Sequence, residues 1–118
     1  MNLKIENQGE IVIISLNEMR FTNLYASEFR DKVQSLIDDG NIKLILNLSK
    51  VNYMDSSGLG AIISCYNHLN DYNKVNETSG KIVVCSLSTA VASLFSMLRA
   101  NEFISMYNDI NDAKSTFI

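Results

Sequence analysis

Apolar residues follow two different periods along this chain, and segments of the two kinds alternate. The runs 10–16, 42–48 and 81–87 are largely apolar, which is typical of strands buried on both faces of a sheet. Residues 3–7 instead alternate apolar and polar positions, and the turn pair Gln8-Gly9 joins them to the first buried run. The N-terminal part of the chain is therefore predicted to form a β-hairpin.

Other segments carry an apolar residue at every third or fourth position, the spacing that places these residues on one face of a helix. Gly40 is suited to end the first such helix, and Ser88-Thr89 is suited to cap the third. The predicted elements of this part are, in chain order, a helix over 25–38, a helix from the turn at Asp55 to about Asp71, a polar connection over 73–80, a helix with Val91, Leu94, Phe95 and Leu98 facing inward, a short strand over 103–107, and a short helix after Asn108-Asp109.

Strands that alternate with helices of this length imply crossover connections and a mostly parallel sheet. The opening hairpin adds one antiparallel strand, which makes the sheet mixed. We therefore predict an α/β fold with a mixed sheet of four to five strands and helices packed mainly on one face. The 118 residues are expected to form a single domain over 1–118.

The composition fits a globular protein, with 47% hydrophobic and 19% charged residues. A net charge of −3 argues against a nucleic-acid or anionic-membrane binder, because both need clustered Lys and Arg. No apolar run is long enough to span a bilayer, and the first residues lack the apolar core of a signal peptide. We therefore expect a cytoplasmic protein without direct membrane insertion, in which Cys65 and Cys85 are buried, reduced thiols.

The most informative segment is the polar turn between the strand at 42–48 and the second helix. It contains Asp55, Ser56 and Ser57, whose side-chain oxygens can accept hydrogen bonds from the unpaired N–H groups of a helix start. The N-terminus of a helix is also positively polarised. A serine hydroxyl at this position would either carry a phosphate or meet one on a ligand.

An enzymatic function is not supported by the same turn. The nucleophile elbow of hydrolases requires Gly-x-Ser-x-Gly, whereas this chain has Met54-Asp55-Ser56-Ser57-Gly58 without the first glycine. The only histidine, His68, falls well inside the following helix, a poor position from which to reach the Ser56 hydroxyl. No phosphate-binding P-loop is present. We therefore expect no catalytic activity, no metal and no cofactor.

The turn, read with its neighbours, resembles a known signature. The segment Met54-Asp55-Ser56-Ser57-Gly58-Leu59-Gly60, placed between a strand and a helix, is similar to that of STAS domains, in particular of bacterial anti-sigma-factor antagonists. The segment 80–88, followed by Ala90-Val91 and Leu94-Phe95, resembles the fourth strand and third helix of that family. The resemblance extends over essentially the whole chain.

The resemblance implies a phosphorylation switch in transcription regulation. In the family, the serine after the Asp is phosphorylated by a partner that is both serine kinase and anti-sigma factor, which makes Ser56 the expected acceptor here. The unphosphorylated protein binds the anti-sigma factor and frees the sigma factor, and a phosphatase resets the system. Ser57 remains the alternative acceptor, and Leu59 is either a core or a contact residue. The expected partner-binding residues are Thr22, Asn23, Asp55, Ser56, Ser57, Gly58, Leu59 and Gly60.

One departure from the family pattern concerns the partner. The family has Gly-x-Leu-Asp after the second strand, whereas this chain has Met19-Arg20-Phe21-Thr22, so that Thr22 stands where the Asp would be. This difference keeps a second function open, that of a constitutively binding STAS subunit of a lipid-transport ABC complex or of a stress-signalling assembly.

Overall fold

A computed structural model describes residues 1–118 and centres on a five-stranded sheet with the strand order β1-β2-β4-β6-β7. Strands β3 and β5 form a separate two-stranded sheet. The strands are β1 (Leu3–Gln8), β2 (Ile11–Leu16), β3 (Arg20–Phe21), β4 (Lys43–Asn47), β5 (Tyr53–Met54), β6 (Lys81–Cys85) and β7 (Met106–Tyr107). The helices are α1 (Asn23–Asp38), α2 (Ser56–Asn76), α3 (Thr89–Met97) and α4 (Ile110–Ser115), with a 3-10 turn at Ala100–Glu102.

Strand directions agree with the sequence pattern. β1 runs antiparallel to β2, and the pairs β2–β4, β4–β6 and β6–β7 are parallel. The hairpin turns between Gln8 and Ile11, where Gly9 adopts a φ of +63° that a residue with a side chain rarely tolerates. The predicted mixed sheet is therefore confirmed.

Two apolar clusters hold the helices to the sheet. The larger cluster joins one face of the sheet to α1, α2 and α3, through buried residues such as Phe29, Leu59 and Phe95. The smaller cluster lies on the opposite face, where Ile13 and Val83 pack against Ala113 of α4. The prediction that helices pack mainly on one face is thus confirmed, and only the short α4 covers the other.

The end of α2 differs from the sequence prediction. The helix continues past Asp71 to Asn76 and ends at Glu77, whose left-handed backbone lets its N–H donate to the carbonyl of Asn73. The Asn73 side chain then bonds to both the N–H and the carbonyl oxygen of Gly80. The predicted polar connection over 73–80 is therefore wrong in its first half. Residues 73–76 form one more turn of α2, which the sequence pattern did not indicate because most of them are polar.

Two smaller predictions have opposite outcomes. α3 ends at Met97, and Leu98 is 48% exposed rather than facing inward. Both cysteines are free and buried, as predicted, and burial raises the pKa of the Cys65 thiol to about 12. Burial also raises the pKa of Cys85. None of the four helices combines the length and the apolar character needed to cross a membrane.

Candidate functional site

The small β3–β5 sheet brings two helix starts together. Its strands pair in parallel, with Arg20 beside Tyr53 and Phe21 beside Met54. Each strand leads directly into a helix, β3 through Thr22 into α1 and β5 through Asp55 into α2. The Asp55 N–H donates to the Phe21 carbonyl oxygen at 3.3 Å, which fixes the two connections against each other. The Thr22 region and the Asp-Ser-Ser turn are therefore neighbours, although they are distant in sequence.

The caps of the two helices leave the serines free. The Asp55 carboxylate Oδ1 accepts a hydrogen bond from the Gly58 N–H at 2.9 Å, so Asp55 is the cap of α2. Thr22 Oγ1 accepts from the Leu24 N–H at 3.4 Å and caps α1 more weakly. Ser56 and Ser57 are both exposed, and neither supplies a cap. Their hydroxyls are thus presented to solvent at the positive end of a 21-residue helix.

We expect loss of the Asp55 cap to weaken the start of α2. Asp55→Ala removes the acceptor of the Gly58 N–H, and it should lower the free energy of unfolding by about 0.5–2 kcal/mol. Asp55→Asn keeps a side-chain oxygen and should remain close to the parent protein. Urea unfolding of the two variants measures the difference. Equal stability of Asp55→Ala and Asp55→Asn would contradict the capping role.

The two glycines of the turn have different environments. A Cβ atom on Gly58 would lie 2.4 Å from the Phe21 carbonyl oxygen, so this position has no room for a side chain. A Cβ atom on Gly60 would meet nothing within 4 Å, and Gly60 is exposed. Gly58 thus serves the packing of α2 against β3, whereas Gly60 leaves the outer surface of α2 flat.

The predicted partner-binding residues divide in the same way. Asn23, Ser56, Ser57 and Gly60 are exposed, and Thr22 and Asp55 are partly so, which leaves these six accessible to another protein. Gly58 and Leu59 are buried, with Leu59 fully inside the main core. They therefore offer a partner no side-chain surface, and their contribution is to hold the accessible residues in place.

Sequence reasoning missed an apolar margin of this site. Met19, Leu24 and Tyr53 are 66%, 75% and 44% exposed, and they flank the two helix starts. Met19, Thr22 and Leu24 line a shallow cleft of about 320 Å³. Arg20 lies over the Tyr53 ring at 4.4 Å. The available signal was Leu24, an apolar residue in the first turn of α1 that lies outside the apolar face of this helix.

Groups for other chemistry are not assembled near the turn. No cluster of three or more His, Cys, Asp or Glu side chains is placed to hold a metal ion. His68 Nε2 lies 2.7 Å from Asp38 Oδ1, where it joins α2 to the end of α1. Since Asp38 closes α1, this pair lies at the far end of that helix from Thr22. The Ser56 hydroxyl therefore has no histidine base.

Comparison with known proteins places this arrangement in a family. The sequence model of the STAS domain matches residues 2–113. The chain is 32% identical over 120 residues to an anti-sigma F factor antagonist of Paenibacillus polymyxa, and the match covers 94% of this chain and 92% of that protein.

Solved structures share the fold. The anti-sigma factor antagonist SpoIIAA in its unphosphorylated form superposes with a TM-score of 0.79 at 20% identity, covering 98% of this chain and 96% of SpoIIAA. The phosphorylated form of the Bacillus cell fate determinant SpoIIAA gives 0.72 at 20% identity, covering 99% and 100%. An anti-sigma-factor antagonist (STAS) domain protein from Planctomyces limnophilus gives 0.81 at 13% identity, covering 94% and 93%. The resemblance read from the turn is confirmed, and the chain belongs to the STAS domain family.

Proposed function

We propose that this protein is a cytoplasmic anti-sigma-factor antagonist that is switched by phosphorylation of Ser56. Unphosphorylated, it binds an anti-sigma factor that is also a serine kinase, and it thereby releases a sigma factor for transcription. Phosphorylation ends the binding, and a serine phosphatase restores it. The observation that carries the proposal is the exposed Ser56 hydroxyl, which stands beside the Asp55 cap and takes no part in it. The name of the Paenibacillus polymyxa relative supports the same general role.

The position of Ser56 suits a reversible charge. A serine phosphate carries about −1.5 to −2 charges at neutral pH, and a helix N-terminus tolerates a negative group because its N–H dipoles point toward it. The first turn of α2 contains no acidic residue, and the carboxylate of the adjacent Asp55 is already engaged by the Gly58 N–H. Phosphorylation should therefore leave the fold intact and change only the surface that a partner meets.

The surface around Ser56 suits a protein partner. We call Met19, Thr22, Leu24, Tyr53, Ser56 and Gly60 the docking patch.

The apolar members of the docking patch are exposed. Burying them in a complex would be favourable in proportion to the apolar area removed from water. The open space over Gly60 would admit a partner backbone at short range. Because the patch combines exposed apolar residues with a free serine hydroxyl, a single phosphate on that hydroxyl should have a large effect on binding.

The acceptor is tested by labelling. Incubation of the protein with ATP and an anti-sigma-factor kinase from the same cell should add one phosphate, located by mass spectrometry at Ser56. Ser56→Ala should abolish the label. Ser57→Ala removes a neighbouring exposed hydroxyl and serves as the control, which should retain the label. Full labelling of Ser56→Ala would reject Ser56 as the acceptor and leave Ser57 as the candidate.

A second candidate function rests on Thr22. This residue stands where the resemblance places a carboxylate, and its hydroxyl accepts from the Leu24 N–H, so the docking patch lacks that charge. A STAS subunit that binds constitutively, within a lipid-transport ABC complex or a stress-signalling assembly, would have no need of it. Recovery of a permease and an ATPase on affinity purification from the native cell, with no label on Ser56, would favour this function over the first.

A further inference from the structure

The strand β1 forms one edge of the sheet, and its outer side has no partner in the chain. We propose that β1 pairs with β1 of a second copy of this protein, antiparallel and about a twofold axis at Ile5. The pairing would extend the two five-stranded sheets into one continuous sheet. Three features support this choice of partner: the direction of the free backbone groups, the charges of the edge, and the register that the two define together.

The hairpin determines which backbone groups of β1 are free. The Asn17 N–H donates to the Asn2 carbonyl oxygen at 2.9 Å, so Asn2 directs its backbone groups toward β2. In an antiparallel pair these groups alternate between the two sides of a strand. Lys4 and Glu6 therefore also bond toward β2, and the N–H and C=O groups of Leu3, Ile5 and Asn7 point outward to the open edge.

A register centred on Ile5 satisfies all of these groups. Leu3 of one copy then faces Asn7 of the other, Ile5 faces Ile5, and the three facing pairs form about six backbone hydrogen bonds. A shift by one residue between the copies would oppose outward groups to inward ones and lose these bonds. The backbone therefore permits only registers that differ by two residues.

The side-chain charges select among those registers. With Ile5 at the centre, Lys4 of each copy lies opposite Glu6 of the other, and opposite charges at facing positions stabilise a strand pair. Centring the pair on Lys4 or on Glu6 instead would oppose two like charges. Within one copy, Lys4 Nζ and Glu6 Oε1 are 2.9 Å apart, with 63% and 41% of their side chains exposed, so both are available to a facing strand.

The same residues have a competing interpretation. Lysine on an edge strand is a common means of preventing association. A lysine alone would repel its copy, but Lys4 is followed two residues later by Glu6, which makes the edge complementary to itself. On the helix side of the sheet, Leu3 and Ile5 are only half buried against the main core, so the pairing would also cover apolar surface. Since the strand is short, we expect a weak dimer whose population depends on protein concentration.

Charge variants test the pairing in solution. Sedimentation equilibrium of the intact protein from about 10 µM to about 1 mM should show a monomer–dimer equilibrium of this kind. Lys4→Glu makes both charges of the edge negative, and Glu6→Lys makes both positive, so each variant alone should dimerise about tenfold more weakly than the parent. An equimolar mixture of the two variants should recover the affinity, because each edge then meets its opposite.

The mixture isolates the contact between molecules, since neither variant has an opposite-charge pair within its own strand. Lys32→Glu and Asp71→Lys make the same changes of charge at exposed positions of α1 and α2, and they should dimerise like the parent. A parent protein that is monomeric over the whole concentration range would overturn the proposal. This holds even if a different protein were found to bind the β1 edge. Single variants that dimerise as well as the parent would overturn it equally. Circular dichroism verifies that every variant is folded.

Discussion

Replacing Gly58 with alanine is expected to lower the free energy of unfolding by about 1–3 kcal/mol, the usual effect of forcing a methyl group into a filled site. The new Cβ atom would lie 2.4 Å from the Phe21 carbonyl oxygen and 3.0 Å from Cγ of Met54. Met54 can adjust, but Phe21 O belongs to the backbone and accepts the Asp55 N–H. The start of α2 would therefore have to move away from β3. Urea unfolding at fixed pH measures the change.

Gly60→Ala is the matched control for this prediction. It adds the same methyl group two residues further along the same helix, where nothing lies within 4 Å. Because alanine has a higher helix propensity than glycine, this variant should be more stable than the parent by up to about 1 kcal/mol. A lower free energy of unfolding for Gly58→Ala together with a higher one for Gly60→Ala would attribute the loss of stability to the contact with Phe21. A Gly58→Ala protein as stable as the parent would show that this contact is easily relieved.

Phosphorylation of Ser56 is expected to weaken binding of the anti-sigma factor by at least about a hundredfold, since an uncompensated charge buried in an interface costs about 3–5 kcal/mol. Ser56 belongs to the docking patch, together with the exposed apolar residues Met19 and Leu24 and the open surface at Gly60. A partner seated there would remove the phosphate from water. Isothermal titration calorimetry with the phosphorylated protein and with Ser56→Asp measures the effect, which should be smaller for the single charge of the aspartate.

Ser79→Asp provides the control for charge alone. Ser79 is exposed in the connection after α2, close in sequence to the C-terminal end of that helix, so its substitution should leave binding unchanged. The unfolding free energy of Ser56→Asp should stay within about 1 kcal/mol of the parent, because the helix dipole favours an acidic group at this end. Unchanged affinity of the phosphorylated protein would reject the switch, while leaving the family assignment intact.

The sequence was sufficient for the elements whose residues are buried in a regular pattern. The strands β2, β4 and β6 are nearly continuous apolar runs, and the hairpin turn at Gly9 is marked by its glycine. The last turn of α2 was missed because most of its residues are polar, and its end is stabilised by Asn73, whose side chain bonds across the connection to Gly80. Such a tertiary cap has no periodic signal.

The sequence indicates residues for the candidate site, which stay predictions, but it does not indicate how they are arranged. Asp55 could be assigned as a cap from its type and position, and the resemblance makes Ser56 the expected phosphate acceptor. The β3–β5 pair has only two residues per strand, which is too short for a periodic pattern, so the contact between the Thr22 region and the turn could not be read from spacing. For the same reason the exposed apolar residues Met19 and Tyr53 were not recognised as part of the site.

The Phe21 carbonyl oxygen accepts a hydrogen bond from the Asp55 N–H and occupies the space that a side chain on Gly58 would need. One peptide group therefore links the starts of both long helices. Neither helix start can move outward without breaking the hydrogen bond between Asp55 and Phe21. A phosphate on Ser56 would consequently stand on a fixed helix start and not on a loop that could rearrange around it. Any protein that distinguishes the two forms must then sense the added group itself, by collision and repulsion, and not a change of shape beneath it.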